Sequence, residues 1–266
     1  MAYLKEVSIT GLWGSRNISW EKINEDVNII VGINGSGKTT LLNLIWGFVV
    51  SNDKLLKKYT FNDFHDSYSE KFDLSQKRRY VNAEFISTFD VLFSHKKKTE
   101  SPLTLDLLDV IYTTGQSKNT FFDYRLKATN FPKQANSING RIQSLYKLID
   151  KQFSSTNKKI EIDPETNKLI FKQGENIIQL ENLSSGEKQF LLIMFKVFLM
   201  EEKPYILLMD EPEISMHIDW QFELINVIRE LNPNCQVIIA THSPSMFGDG
   251  WGDKVVYMED ITSYEK

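Results

Sequence analysis

Apolar residues along this chain follow two rhythms. Short, predominantly apolar runs at residues 27–31, 205–209 and 236–240 are bounded by polar or turn residues, the pattern of strands buried on both faces of a parallel sheet. Residues 4–9 instead alternate apolar with polar, and 18–23 are placed to return beside them, as half-buried antiparallel strands do. Helical spacing marks 41–49, the strongly apolar run 190–200 that Pro204 ends, and the face formed by Ile218, Phe222, Ile225 and Ile228. Residues 254–258 supply a last strand. This order predicts an α/β fold: a mostly parallel central sheet with helices on both faces and a small antiparallel sheet at the N-terminus.

The middle of the chain is less regular. Residues 51–157 are rich in Lys, Ser, Asn and Phe and are read as a helical, irregular insertion within a single domain spanning 1–266. Within it, 79–89 predicts a core strand, while 103–112 and 138–153 predict helices, the second with Ile142, Leu145, Leu148 and Ile149 near one face. Residues 159–162 and 169–172 flank Asp163-Pro-Glu-Thr-Asn167, a hairpin signature. Three basic clusters, Lys57-Lys58, Lys77-Arg78-Arg79 and Lys96-Lys97-Lys98, read as solvated faces of the insertion, with partner or nucleic-acid contact as the alternative. There is no internal repeat and no heptad array.

Composition narrows the classes. Across 266 residues, a net charge of −4 gives no overall pull toward nucleic acid or an anionic membrane. The single cysteine, Cys235, excludes an intrachain disulfide and a cysteine-rich zinc site; at the head of an apolar strand it reads as an inert core thiol. His65 and His95 have no partners at metal-ligand spacing. The N-terminus lacks the basic-then-apolar layout of a signal peptide, and the run 190–200 is too short to cross a bilayer and contains Lys196. A cytoplasmic protein without membrane partners is expected.

Chemistry concentrates after two of the buried strands. Gly32-Ile-Asn-Gly-Ser-Gly-Lys-Thr-Thr40 has the P-loop spacing and lies between a strand and a helix. Its glycines let the backbone amides of Asn34, Gly35, Ser36, Gly37, Lys38, Thr39 and Thr40 turn inward around phosphates, with the helix N-terminus behind them. Lys38 then reaches the β- and γ-phosphates, and the Thr39 hydroxyl takes one Mg²⁺ position. The strand Ile206-Leu-Leu-Met-Asp210 ends in a second acid, Glu211. In a parallel sheet those two carboxylates lie beside the P-loop, Asp210 to hold Mg²⁺ and Glu211 to orient or deprotonate the attacking water.

Leu183-Ser-Ser-Gly-Glu187 resembles the signature motif of ATP-binding-cassette ATPases, with Ser185 where that family usually has glycine, and a capped helix start is the plain alternative. Thr241-His242-Ser-Pro244 matches the family's switch histidine, and Glu213-Ile-Ser-Met-His217 fills the place of the loop that crosses to the other subunit. Together with Asp210-Glu-Pro-Glu213 these motifs look like the AAA/ABC-type ATPases of the OLD and PtuA (Septu, retron-associated) group, often found in antiphage defence. They are similar, more distantly, to SMC and RecF repair ATPases. The likeness covers about 1–50 and 180–260 and hardly touches the middle.

The resemblance implies a P-loop fold of the ABC-ATPase type, ATP and Mg²⁺ as ligands, and ATP hydrolysis with Glu211 and His242 as catalytic residues. It implies a head-to-tail homodimer in which Ser184, Ser185 and Gly186 of one chain face the nucleotide of the other, with His217 at the interface. The opening sheet would cover the adenine, with Trp13 or Arg16 as the stacking residue. No glutamine is evident after the strand leaving the P-loop helix, so Ser87, Thr88 or Asp90 stands in for it. The chain ends some two dozen residues beyond His242, so an effector, protein or ribonucleoprotein, is expected as a separate chain controlled by the nucleotide state. The alternatives are an SMC/RecF-like DNA-repair ATPase and, further off, the nucleotide-binding subunit of a transporter.

Overall fold

The computed structural model describes residues 3–69, 81–87, 100–112, 119–248 and 250–265. Along the chain come β1 (Leu4–Leu12), β2 (Arg16–Trp20), β3 (Val27–Val31), α1 (Lys38–Val49), α2 (Asp53–Leu56), β4 (Asp63–Tyr68) and β5 (Ala83–Ser87). Then follow α3 (Pro102–Ile111), α4 (Phe121–Asn130), α5 (Ala135–Gln152), β6 (Lys159–Ile162), β7 (Leu169–Gln173) and β8 (Asn176–Gln179). The last part runs α6 (Ser185–Leu199), β9 (Tyr205–Asp210), α7 (Ile218–Leu231), β10 (Cys235–Thr241), β11 (Val255–Tyr257) and β12 (Thr262–Tyr264).

The central sheet is parallel, in the order β11-β3-β10-β9-β5, and its register aligns Val31 with Thr241 and Ala240 with Asp210. All the strand ends that carry chemistry therefore open onto one edge. Side chains along these strands alternate between two cores, as period two demands. Ile29, Leu207, Met209, Val237 and Ile239 enter one core with α5, α6 and α7, and Ile30, Ile206, Leu208, Ile238 and Ala240 enter the other with α1. With both faces covered, the strands are apolar nearly throughout, and their buried polar residues, Asn28 and Gln236, are hydrogen-bonded to the backbone of Asn24 and Leu4.

A second sheet is antiparallel, in the order β12-β2-β1-β4. Two strands from within 51–157 thus belong to sheets: β4 pairs with β1, and β5 lies on the edge of the parallel sheet against β9. The sequence pattern predicted the second but not the first. Phe64 of β4 stacks on Phe48 of α1 with ring centroids 3.7 Å apart, which fixes this sheet over the P-loop helix. The hairpin is present as β6 and β7, with β8 added as a third strand.

The helical part is bonded to the sheet layer through an aromatic stack. Phe153 packs on Phe171 and on Trp220, both at 5.1 Å, and Phe190 lies 5.4 Å from Trp220. The Trp220 indole N–H donates to the Gln152 carbonyl at 2.9 Å, so the buried polar group is satisfied. Cys235 is buried and fully covered at the head of β10, and burial pushes its thiol up to about 12, as expected for an inert core residue. Among the described residues, no helix is long and apolar enough to cross a membrane. The clusters at 77–79 and 96–98, together with His95, Thr88 and Asp90, lie outside the described residues.

Candidate nucleotide site

β3 delivers the chain at Val31 into the loop 32–37, and α1 starts at Lys38. Gly37 caps the helix at φ 102°, and Gly35 stands at φ 79°, backbone that L side chains adopt only under strain. Neither a side-chain cap nor an acid occupies the first turn of α1. Its leading N–H groups and the positive end of its dipole therefore face the loop, an arrangement suited to an anion. The Ser36 hydroxyl is buried without a hydrogen-bond partner, a second sign that the loop is shaped for a group it does not itself supply. Asn34 and Gly35 lie exposed at the tip, and Thr40 is half-buried in α1.

Lys38 is 5% exposed and makes three contacts, to the Gly32 carbonyl at 2.9 Å, the Ile33 carbonyl at 3.3 Å and His242 Nε2 at 2.7 Å. An ammonium has three donors, so the protein alone saturates it. Burial pulls the Lys38 ammonium below its ordinary value, while Glu211, Asp210 and Glu213 push back. His242 Nε2 also lies 3.1 Å from Glu211 Oε1. A single ring nitrogen cannot accept from the ammonium and donate to the carboxylate at once. The observed geometry is therefore one of two competing states, and displacement of Lys38 would release Nε2 toward Glu211 or toward an anion.

Asp210, at the last position of β9, is 9% exposed and hydrogen-bonded to the Thr39 side chain. Burial raises its pKa, and Glu211 and Glu213 reinforce that against the pull of Thr39 and Lys38. A hydroxyl and a hard carboxylate side by side next to a phosphate-shaped loop are the donor set Mg²⁺ uses, with phosphates and water completing the shell. Among the described residues no three His, Cys, Asp or Glu groups gather into a cage, so a divalent ion would be held only with such help. Glu211 follows at φ 46°, its N–H donating to the Ala240 carbonyl at 2.8 Å, which turns its side chain to the edge beside His242. Ser87 pairs in register with Asp210 and is the described candidate for the absent glutamine.

Arg16 bridges two parts of the site. It donates through Nη1 to the Ser36 carbonyl at 2.7 Å and through Nη2 to the Tyr264 hydroxyl at 2.9 Å. Its guanidinium lies 5.1 Å from the Trp13 ring centroid and 5.3 Å from that of Tyr264. Both rings are exposed, so their open surfaces, held in place by the guanidinium, could receive a flat base. The sequence singled out Trp13 and Arg16; Tyr264, which the structure brings beside them, lies on a three-residue strand with no apolar pattern to mark it.

The signature residues stand elsewhere. Ser184 caps α6 in a reciprocal box with Glu187, and Ser185 begins the helix; both are exposed. Gly186 is buried against the loop after β9, where a Cβ would overlap the Ser215 carbonyl oxygen. Lys158 at the head of β6 pairs with Glu187 at 2.5 Å and so ties the small sheet to the same helix start. His217 caps α7, its Nδ1 accepting from the Asp219 N–H at 3.4 Å, and it faces solvent. One chain thus assembles Lys38, Thr39, Asp210, Glu211 and His242, and presents Ser184 and Ser185 outward on a separate element.

The family described as "AAA domain, putative AbiEii toxin, Type IV TA system" matches residues 109–247. The chain is similar to Septu protein PtuA of Bacillus thuringiensis, 25% identical over 92% of this chain and 73% of that one. It is also similar to the lipoprotein-releasing system ATP-binding protein LolD of Buchnera aphidicola subsp. Acyrthosiphon pisum, 26% identical over 87% of this chain and 80% of that one. Among solved structures, an Smc head bound to the C-winged helix domain of ScpA superposes with a TM-score of 0.58 at 13% identity, over 99% and 97% of the two chains. At that identity the likeness concerns the fold.

Proposed function

The chain belongs to this AAA-domain family and is an ATPase of the ABC type, and on that premise we propose that it works as a nucleotide-driven switch acting on a separate effector. The observation that carries the reading is the split just described: a complete set of phosphate-facing groups on one sheet edge, with the signature serines turned outward on α6. A site divided in this way is completed by a second copy placed head to tail, so that Ser184 and Ser185, on the helix start that the buried Gly186 packs against the loop after β9, meet the γ-phosphate held by the partner's P-loop. Mg²⁺ between Thr39 and Asp210 would neutralise charge on the β- and γ-phosphate oxygens.

The chain's own residues do the rest. On nucleotide binding Lys38 exchanges its carbonyl and imidazole partners for phosphate oxygens. His242 Nε2 is thereby freed to face the γ-phosphate, and Glu211 orients the water in line with the bond to be broken. Hydrolysis removes the γ-phosphate that joined the two copies and reopens the dimer. The motif resemblance drawn from Asp210-Glu-Pro-Glu213 and Thr241-His242-Ser-Pro244 favours an effector in antiphage defence.

Glu211→Gln tests this. It should keep ATP binding, lower turnover by about 10²-fold or more, and accumulate an ATP-dependent dimer by light scattering. Wild-type turnover in that variant would refute the assignment. Proteins captured with the trapped form identify the effector, and capture of a membrane permease would replace the switch reading with the transporter one.

A further inference from the structure

We infer that Glu213 is the positioning residue that sets His242, and that it ties this histidine to the loop on which the signature helix rests. The inference depends on His242 acting in hydrolysis, as proposed above. Glu213 is 8% exposed, three residues beyond Asp210. One of its oxygens, Oε1, collects three donors from the loop after β10: the Thr241 hydroxyl, the His242 N–H at 3.2 Å and the Ser243 N–H at 3.3 Å. Thr241 Oγ1 in turn accepts from the Ser243 N–H at 2.9 Å. The N–H groups of His242 and Ser243 are therefore held, directly or through the Thr241 hydroxyl, by one carboxylate. The other oxygen, Oε2, is buried without a hydrogen-bond partner.

Burying a carboxylate is costly, and packing of the loop alone does not call for one; a neutral acceptor would satisfy the same donors. The charge strengthens three hydrogen bonds at once and so narrows the positions His242 can take. The far side of the same short loop explains what the rigidity serves. Ser215, at φ 66°, presents its carbonyl to Gly186 at the start of α6, with no room for a side chain between them. The route from the α6 N-terminus runs by contact to Ser215, two residues along the chain to Glu213, and by hydrogen bond to the His242 backbone. A shift of the signature serines toward a partner's phosphate would thus be felt at this chain's own imidazole.

The test is a mutant cycle read by single-turnover hydrolysis of radiolabelled ATP, with ATP affinity measured separately on the full chain. Glu213→Ala should slow hydrolysis by about 10- to 100-fold, the cost expected for a displaced catalytic group, with ATP affinity within about threefold of wild type. Glu213→Gln, which keeps the acceptor, should recover a substantial part of the rate. In a His242→Ala background, Glu213→Ala should cost less than about twofold, because the group it positions is gone. Full additivity of the two substitutions, or an unchanged rate in Glu213→Ala, overturns the inference while leaving His242 catalytic. An unchanged rate in His242→Ala overturns the catalytic reading and this inference with it. Should Glu213→Ala fail to fold, Thr241→Val removes one donor at nearly constant shape, and the same cycle decides.

Discussion

Lys38 already spends all three of its donors within the chain, on Gly32, Ile33 and His242. Binding a phosphate therefore exchanges hydrogen bonds, and the gain comes from replacing two carbonyls and an imidazole by charged oxygens. Lys38→Ala should weaken ATP binding by about 10- to 100-fold in a fluorescent-nucleotide titration, since a hydrogen bond to a charged group is worth about 1.5–3 kcal/mol. Asp210 carries a second consequence. Burial raises its pKa, so the folded chain holds this proton more tightly than the unfolded chain does. Stability then falls as pH rises from the ordinary carboxylate range through the raised value, and the deficit persists above it. Asp210→Asn should raise the melting temperature of the nucleotide-free protein by a few degrees at neutral pH, while hydrolysis is lost. The advantage should shrink toward acid pH, and an equal gain at pH 4 and pH 7.5 would contradict this origin.

At the scale of elements, α6 has two duties that can be separated. Its Ser184–Glu187 box stabilises the helix start, and Ser184→Ala should cost about 1 kcal/mol in denaturant unfolding. Ser185 lies exposed in the first turn, where an acid is favoured by the helix dipole. Ser185→Glu should accordingly leave the melting temperature within about 2 °C of wild type yet abolish ATP-dependent dimer formation, because its charge opposes a phosphate. A dimer of normal affinity in that variant would remove α6 from the interface. The same elements show what a sequence can reveal. β3, β9 and β10 were legible because both faces are buried, and the P-loop and Asp210-Glu211 followed from their ends. β4 was not: its residues Asp63-Phe-His-Asp-Ser-Tyr68 are mostly polar, and only Phe64 and Tyr68 join the core. β8 and β12 are short and largely exposed, so packing leaves little mark on their residue types. Glu213 escaped notice as a contact because its partners lie nearly thirty residues away on another strand.

Over the whole molecule, the site is a product of long-range pairing. Val27 pairs with Val237, Tyr205 with Cys235 and Ala83 with Ile206. The P-loop could curl locally around an anion, but Asp210, Glu211 and His242 join it only after these strands have met. Such contacts are slow to form, since each closes a long loop before it returns any stabilisation. Nucleotide should therefore find its site only once the central sheet is complete. With ATP and Mg²⁺ at 100 times Kd, the folded state gains about 2.7 kcal/mol. That gain should appear almost entirely as slower unfolding, roughly 100-fold, with the refolding rate unchanged. Stopped-flow refolding with and without ATP measures this directly, and faster refolding with ATP would mean that the cradle forms ahead of the sheet. In a cell, the parallel register would then make nucleotide a guardian of the finished protein, prolonging its lifetime without helping it to form.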